Sequence, residues 1–239
     1  MAQDHVRDAR VDALEADNAR LRRLLDASGA SDGLRHGLRD TLAMLRAVLR
    51  LSADTAESVE GYATHLEGRL DAIARARISL DMSGGISLHS LISDELMVHL
   101  IREGDQADLA GPAVRLRPKA GQVMALAVHE LCSNAVEHGV FGLSEGKVNV
   151  VWSIDTGDTM RPDDLVLTWK ETGGTDVALP TRRGFGMQVL NDMLRYELNA
   201  RIDLAFEPDG LRCTMRLPLV PRIGRIVDEP GSDDASEPN

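Results

Sequence analysis

Cysteine is nearly absent from this chain. Cys132 and Cys213 are the only two, and both sit inside apolar segments. Neither has metal-ligand spacing, which excludes a thiolate metal centre and predicts buried free thiols. Basic charge is also short: 27 Lys and Arg face 38 Asp and Glu, a formal net charge of −11. Nucleic acid calls for a basic patch, so no nucleic-acid partner is expected. No apolar run approaches the ~20 residues of a membrane helix, so no membrane association is expected. No charged-then-apolar signal pattern opens the sequence, and a cytoplasmic protein is predicted.

What is present suffices for a core: 43% of the 239 residues are apolar, a length that suggests one or two domains. Val11, Leu14, Asn18, Leu21 and Leu25 alternate at spacings of three and four. That is a heptad seam with Asn at one a position, which favours a parallel, in-register dimer. Asp17 and Arg22 add opposite charges at the flanking positions. The alternative is a solvated amphipathic helix. After the breaker "DASGASDG", residues 34 to 79 are helical in two parts. Leu34, Leu38, Leu42, Leu45 and Leu49 form one stripe; Val59, Tyr62, Leu66, Leu70 and Ile73 form the other. "SADTAES" between them has turn and N-cap chemistry. A two-helix hairpin cannot close its own core, so pairing with a second copy into a four-helix bundle is expected.

From about residue 87 the pattern becomes mixed α and β. "SLHSLISDELMVHLI" reads as a helix and "AVRLR" as a short strand. A long helix follows, with Pro118 near its start and Gly139 at its end. "KVNVVWSID" and "DLVLTWKE" alternate as strands, "GFGMQVLNDMLRYEL" is helical, and "RIDLAFEPDGLRCTMRLPL" is a hairpin turning at Asp209 and Gly210. Strands with helices on one face predict an α/β sandwich. The acidic, Pro- and Ser-rich "DEPGSDDASEPN" predicts a disordered tail.

The long helix contains "VHELCSNAVEHGV", where Glu130, Asn134 and His138 recur at steps of four and share one face. A carboxylate and an amide on one face suit Mg²⁺ carrying a triphosphate, because Mg²⁺ takes oxygen ligands. Two further stretches fit that chemistry. "WKETGG" ends a strand with Glu171, Gly173 and Gly174; "RRGFGMQVL" opens a helix with Gly184 and Gly186 behind Arg182 and Arg183. Glycines at a helix start let phosphate approach backbone N–H groups, and arginines neutralise it. Taken singly, a glycine pair before a helix is as readily a simple turn.

In this order the motifs resemble the HWE-type sensor histidine kinases, within the Bergerat-fold ATPases. That group carries a His in the helix of the asparagine box, here His129, and a Trp-x-Glu at the first glycine box, here Trp169-Lys170-Glu171. The resemblance runs from about Leu34 to Leu219 and includes "EGRLDAIARAR". It implies that Asn134 coordinates Mg²⁺ and that Glu130 assists the metal or accepts a proton. It places Glu171, Gly173 and Gly174 at the adenine, and makes "TDVALPTRR" a short ATP lid whose Arg182 and Arg183 reach the phosphates. His129 and Trp169 are open to a packing role.

The resemblance also implies a phosphorylated histidine. His36 is two residues from Leu34 and from Leu38, and two residues turn a helix by ~200°, so His36 is predicted to point away from the core stripe. His65 is the second candidate. The family pattern at this place is close to His-Arg-x-Lys-Asn; here it is His36-Gly37-Leu38-Arg39-Asp40. Asp40 can orient the imidazole, or it can repel the ATP phosphates.

The expected architecture is therefore α+β: an N-terminal coiled coil (1–30), a helical-hairpin dimerisation and phosphotransfer bundle (31–82), a Bergerat-type α/β sandwich that binds ATP (83–220), and an acidic tail (221–239). The expected function is an ATP-dependent protein histidine kinase. It would autophosphorylate His36 and pass the phosphate to an aspartate of a response-regulator receiver. The alternative is a non-enzymatic dimeric adaptor or phosphotransfer module. The residues ahead of the hairpin are too few for a sensor domain of usual size, so the expectation is either input from a separate sensor protein through the coiled coil or a protein that senses nothing itself.

Overall fold

The computed structural model describes residues 16–17, 19–20, 23–24, 32–55, 58–79, 84–137, 139–142, 146–174 and 185–227. The heptad positions Val11, Leu14, Asn18, Leu21 and Leu25, the residues His138, Arg182, Arg183 and Gly184, and the tail from Asp228 lie outside them. The chain divides into two units, Met1–Asp71 and Ala72–Asn239.

The first unit holds helix α1 (Asp32–Thr55) and most of helix α2 (Val59–Ile78). The expected break between them is there, and Ser58 Oγ accepts the Gly61 N–H at 3.0 Å, an N-cap that starts α2. Leu42, Met44, Val48 and Ala53 are buried, and the buried Arg69 guanidinium donates to Ser52 Oγ at 3.1 Å. The predicted stripes are corrected in part. Leu38, Leu45, Leu49, Tyr62, Leu66 and Leu70 are only half-buried. A two-helix hairpin buries only part of each stripe against its own partner helix.

The second unit begins in the last turns of α2, where Ala72, Ile73 and Ala76 are buried. Strand β1 (Ile86–Ser87) leads into helix α3 (Leu88–Val98), capped by Ser87 Oγ, which accepts the Ser90 N–H. Strands β2 (Ala107–Ala110) and β3 (Val114–Leu116) precede the long helix α4 (Pro118–Glu137). Strands β4 (Lys147–Asp155) and β5 (Asp164–Thr172) follow. A helix then runs through α5 (Phe185–Gln188), a π-helical segment (Val189–Met193) and α6 (Leu194–Leu198), ending on Asn199 with φ 55°. Strands β6 (Arg201–Glu207), β7 (Gly210–Pro218) and β8 (Gly224–Ile226) close the unit.

Five strands form one sheet in the order β2-β4-β5-β7-β6, with only the β2–β4 pair parallel. The alternation in the sequence maps onto its faces: Val148, Val150 and Trp152 of β4 and Leu165, Leu167 and Trp169 of β5 are buried. The residues between them along β4 are mostly exposed. One face is thus apolar, as in antiparallel sheets covered on one side. Helix α4 is buried without a break from Ala120 to Cys132 and packs against α3 and α6. Both cysteines are buried free thiols, as expected.

Three features depart from the sequence reading. β1 and β2 are too short to give a periodic signal. β8 lies within residues assigned to the tail: it pairs with β3, Val114 opposite Ile226, in a three-stranded sheet β1-β3-β8. The single α-helix expected over residues 184–198 carries a π segment instead. There Asn191 Nδ2 donates to the Met187 carbonyl at 3.0 Å. The side chain takes the acceptor that the Asn191 N–H would use in a regular α-helix.

Candidate functional site

Helix α4 presents the polar positions that the sequence singled out. Glu130 is buried and Asn134 half-buried, so their face looks inward, against another part of the chain. That part is the glycine box. A Cβ built on Gly186 would lie 3.1 Å from Asn134 Nδ2 and 3.2 Å from Glu130 Oε2. Any larger residue there would press on both side chains. The fold therefore brings together Glu130, Asn134 and Gly186, residues 56 apart at the widest, as the motif reading required.

Glu171 occupies the other part of the site. Period-two alternation along β5 places it in line with Leu165, Leu167 and Trp169, on the face turned to the core, and it is 2% exposed. Trp169 Nε1 donates to its Oε1 at 3.2 Å. Burial pushes the Glu171 carboxyl above the ordinary carboxylate range; the Trp169 indole, the Leu211 backbone N–H and Lys170 offset this only in part. Two glycines let backbone approach it. A Cβ on Gly139 would lie 2.8 Å from Glu171 Oε2, and one on Gly210, at φ +156°, would lie 2.6 Å from Glu171 Cβ. Gly173 has φ 90°, and the Gly174 N–H donates to the Asp209 carbonyl at 2.9 Å.

The residues fit a magnesium nucleotide. Glu130 and Asn134 offer oxygen donors of the kind Mg²⁺ takes. Gly186 supplies the side-chain-free surface beside them, and Glu171 supplies a buried acceptor with spare capacity at the end of β5.

His129 and Trp169 both serve other side chains. Trp169 is fully buried and orients Glu171. His129 is buried, and its Nδ1 lies 2.7 Å from Glu95 Oε1. Glu95, on α3, also accepts from Arg75 Nη2 through both oxygens, at 2.9 and 2.7 Å. Burial alone would raise the Glu95 carboxyl; hydrogen bonds and charge from His129 and Arg75 outweigh it and hold the group below the ordinary range. Glu95 is thus a carboxylate, and Nδ1 of His129 carries the proton it donates. The sequence reading missed Glu95, although a signal exists: Leu88, Leu91, Ile92, Glu95 and Leu96 are all buried, and their spacing sets an acid within an apolar stripe.

His36 lies within α1, while its side chain, like His138, Arg182, Arg183 and Gly184, is outside what the structure describes. The neighbouring Gly37 has open space where a Cβ would stand, and Thr41 Oγ1 donates to its carbonyl at 2.9 Å. His65 is exposed on α2. Among the described residues no helix is long and apolar enough to cross a membrane.

Residues 33–113 match the HWE histidine kinase family. A blue-light-activated histidine kinase of Rhizobium johnstonii is 28% identical over 213 residues, covering 87% of this chain and 56% of that protein. Blue-light-activated histidine kinase 1 of Erythrobacter litoralis is 27% identical over 193 residues, covering 78% of this chain and 52% of its own length. The chain thus spans about half the length of these curated relatives. In three dimensions it is similar to the histidine kinase domain of an Erythrobacter litoralis blue-light-activated histidine kinase. The TM-score is 0.52 at 14% identity, over 90% of this chain and 96% of that domain. Residues 33–113 are thus similar to the HWE histidine kinases, and the chain has the fold of a histidine kinase domain.

Proposed function

We propose that this chain is the kinase module of a two-component system, working in the cytoplasm. It binds Mg-ATP at residues 83–220 and moves the γ-phosphoryl group to an imidazole nitrogen of His36, releasing ADP. An aspartate of a response-regulator receiver then takes the group. The observation that carries this reading is the meeting of Glu130 and Asn134 with Gly186, beside a buried Glu171. Asn134 holds the metal, and Glu130 supports it or takes the proton released from the imidazole. Glu171, with Gly173 and Gly174, receives the adenine amino group. By the resemblance, Arg182, Arg183 and Gly184 serve the phosphates, and His138 is a further nucleotide-binding candidate. Such catalysis is mainly positioning and charge neutralisation.

The half-buried Leu38, Leu45, Leu49, Leu66 and Leu70 support a homodimer through residues 31–82, since a second hairpin would cover them. The heptad seam Val11, Leu14, Asn18, Leu21 and Leu25 would favour the same parallel pairing.

The test is incubation with γ-labelled ATP and Mg²⁺. Wild type should acquire an acid-labile, alkali-stable label, absent from His36→Ala and from Asn134→Ala. Undiminished label on His36→Ala would move the acceptor elsewhere, with His65 next. Measurable ATP binding without label would favour the adaptor or phosphotransfer reading, to which the Gly37 and Asp40 departures point.

A further inference from the structure

The cluster Arg75, Glu95, His129 and His99 plays no part in the chemistry just proposed, yet it lies one residue from Glu130. We infer that Arg75, Glu95 and His129 form a positioning relay, through which the last turns of α2 set the placement of the Glu130/Asn134 face of α4. The inference rests on the nucleotide reading of that face.

The geometry supports a relay in three ways. First, it is continuous: Arg75 on α2 donates to Glu95 on α3, and His129 on α4 donates to the same carboxylate, with every contact between 2.7 and 2.9 Å. Second, it acts at the right place. One residue turns a helix by ~100°, so His129 meets Glu95 while Glu130, on an adjacent side of the same turn, meets Gly186. A rotation of α4 that broke the first contact would shift the second. Third, the cluster is costly as a stability device. Arg75 Nε and His99 Nε2 are buried with no hydrogen-bond partner among the described residues. Apolar side chains of similar volume commonly serve a core as well as a buried ion pair does.

A metal site is the competing reading. Glu95, His99 and His129 offer ligand atoms within 4.8 Å of one another. The Arg75 guanidinium decides against it: it already compensates both Glu95 oxygens and would stand against a bound cation. His99 is accounted for as a neutral neighbour. Its ring centroid lies 5.8 Å from that of His129, and burial first, then the charge of His129, holds it below the usual imidazole range.

The test measures Mg-ATP affinity by calorimetry on the full chain, alongside melting temperature. His129→Leu should weaken binding roughly tenfold, the scale of loss when a supporting partner is removed. His129→Asn, whose amide can donate from the place of imidazole Nδ1, should restore most of it. Arg75→Met should weaken binding similarly, and the double variant Arg75→Met/His129→Leu should lose no more than the worse single one. If His129→Leu does not fold, the Arg75→Met and His129→Asn pair gives the same answer. Wild-type affinity in folded His129→Leu or Arg75→Met, with only the melting temperature lowered, overturns the relay while leaving the nucleotide reading intact. Equal loss in His129→Leu and His129→Asn overturns it too, as does stoichiometric zinc in the purified protein. Absence of Mg-ATP binding by wild type fails the nucleotide reading first and the relay with it.

Discussion

Three glutamates are buried among the described residues of the α/β unit, and two of them, Glu95 at 3% and Glu171 at 2% exposure, are treated in opposite ways. Burial pushes both carboxyls up. At Glu95, Arg75 and His129 overcome that push and leave a closed, compensated anion. At Glu171 the direct donors are neutral, the Trp169 indole and the Leu211 amide, and the group stays above its usual range. Lys170 is adjacent, but its Nζ is held by Glu207 and Asp209 at the other side. The difference separates two uses of one residue type. A buried acid whose charge is matched within the chain holds structure. One left short of donors is a place where a ligand can complete the site.

The largest test of this contrast removes the compensated acid. Glu95→Ala leaves Arg75 and His129 facing an empty partner, and breaking a buried pair in this way typically costs ~3–5 kcal/mol. Urea unfolding should show a loss of that order. A loss no larger than that for an exposed glutamate such as Glu67 would mean the cluster is not held together by Glu95.

Next in size is the opposite substitution. Glu171→Gln keeps an oxygen for Trp169 Nε1 and Leu211 N–H and removes the unfavourable buried charge. The ligand-free protein should melt higher than wild type at pH 7. Mg-ATP affinity should fall by about tenfold or more, since each lost hydrogen bond to a charged acceptor is worth ~1.5–3 kcal/mol. A variant that melts lower, or binds as well as wild type, would remove Glu171 from the site.

The pH dependence of stability sharpens the comparison further, because the two signs differ. Glu95 is depressed below its ordinary value of 4.5, so the folded state binds fewer protons. Its stabilisation is present above that value and is lost as pH falls through the depressed one. Glu171 is raised above 4.5, so the folded state holds its proton longer. Its favourable contribution is present below 4.5 and is lost as pH rises through the raised value. Glu95→Gln should therefore flatten the stability profile on the acid side of 4.5, and Glu171→Gln on the other side. Two variants flattening the same limb would contradict the assignment.

The sequence made much of this legible because period and polarity agree. Glu130 and Asn134 follow from steps of four and the start of α4 from Pro118, while Glu171 stands out at a strand end ahead of Gly173 and Gly174 and through the Trp-x-Glu resemblance. What stayed hidden depends on partners far along the chain. Arg75 and Glu95 are 20 residues apart, Glu95 and His129 34 apart, and no local pattern couples them. The π segment was also hidden, since the Asn191 side-chain bond to the Met187 carbonyl that accompanies it leaves no mark in composition. β8 was missed because three residues beside an acidic tail carry no period.

The smallest expected effect tests whether the wall between the two acids is closed. Cys132 on α4 is fully buried, and its thiol is pushed well above its usual range by burial first, then by Glu95 and then by Glu171. Cys213 on β7, opposite Trp169, is pushed up to about 12 by burial first, then by Asp203 and Glu171. The thiolate is the reactive form, so both should be silent to a thiol reagent in the native protein and titrate fully after unfolding. Removing one neighbouring charge, in Glu95→Gln or Glu171→Gln, eases ionisation of Cys132 but leaves it inaccessible. Native labelling should then stay as slow as global unfolding in every folded variant. Rapid labelling of Cys132 in Glu171→Gln, with Cys213 still silent, would reveal a local opening of α4 beside Glu171. The closed and the open glutamate would then be two ends of one movable wall, not independent sites.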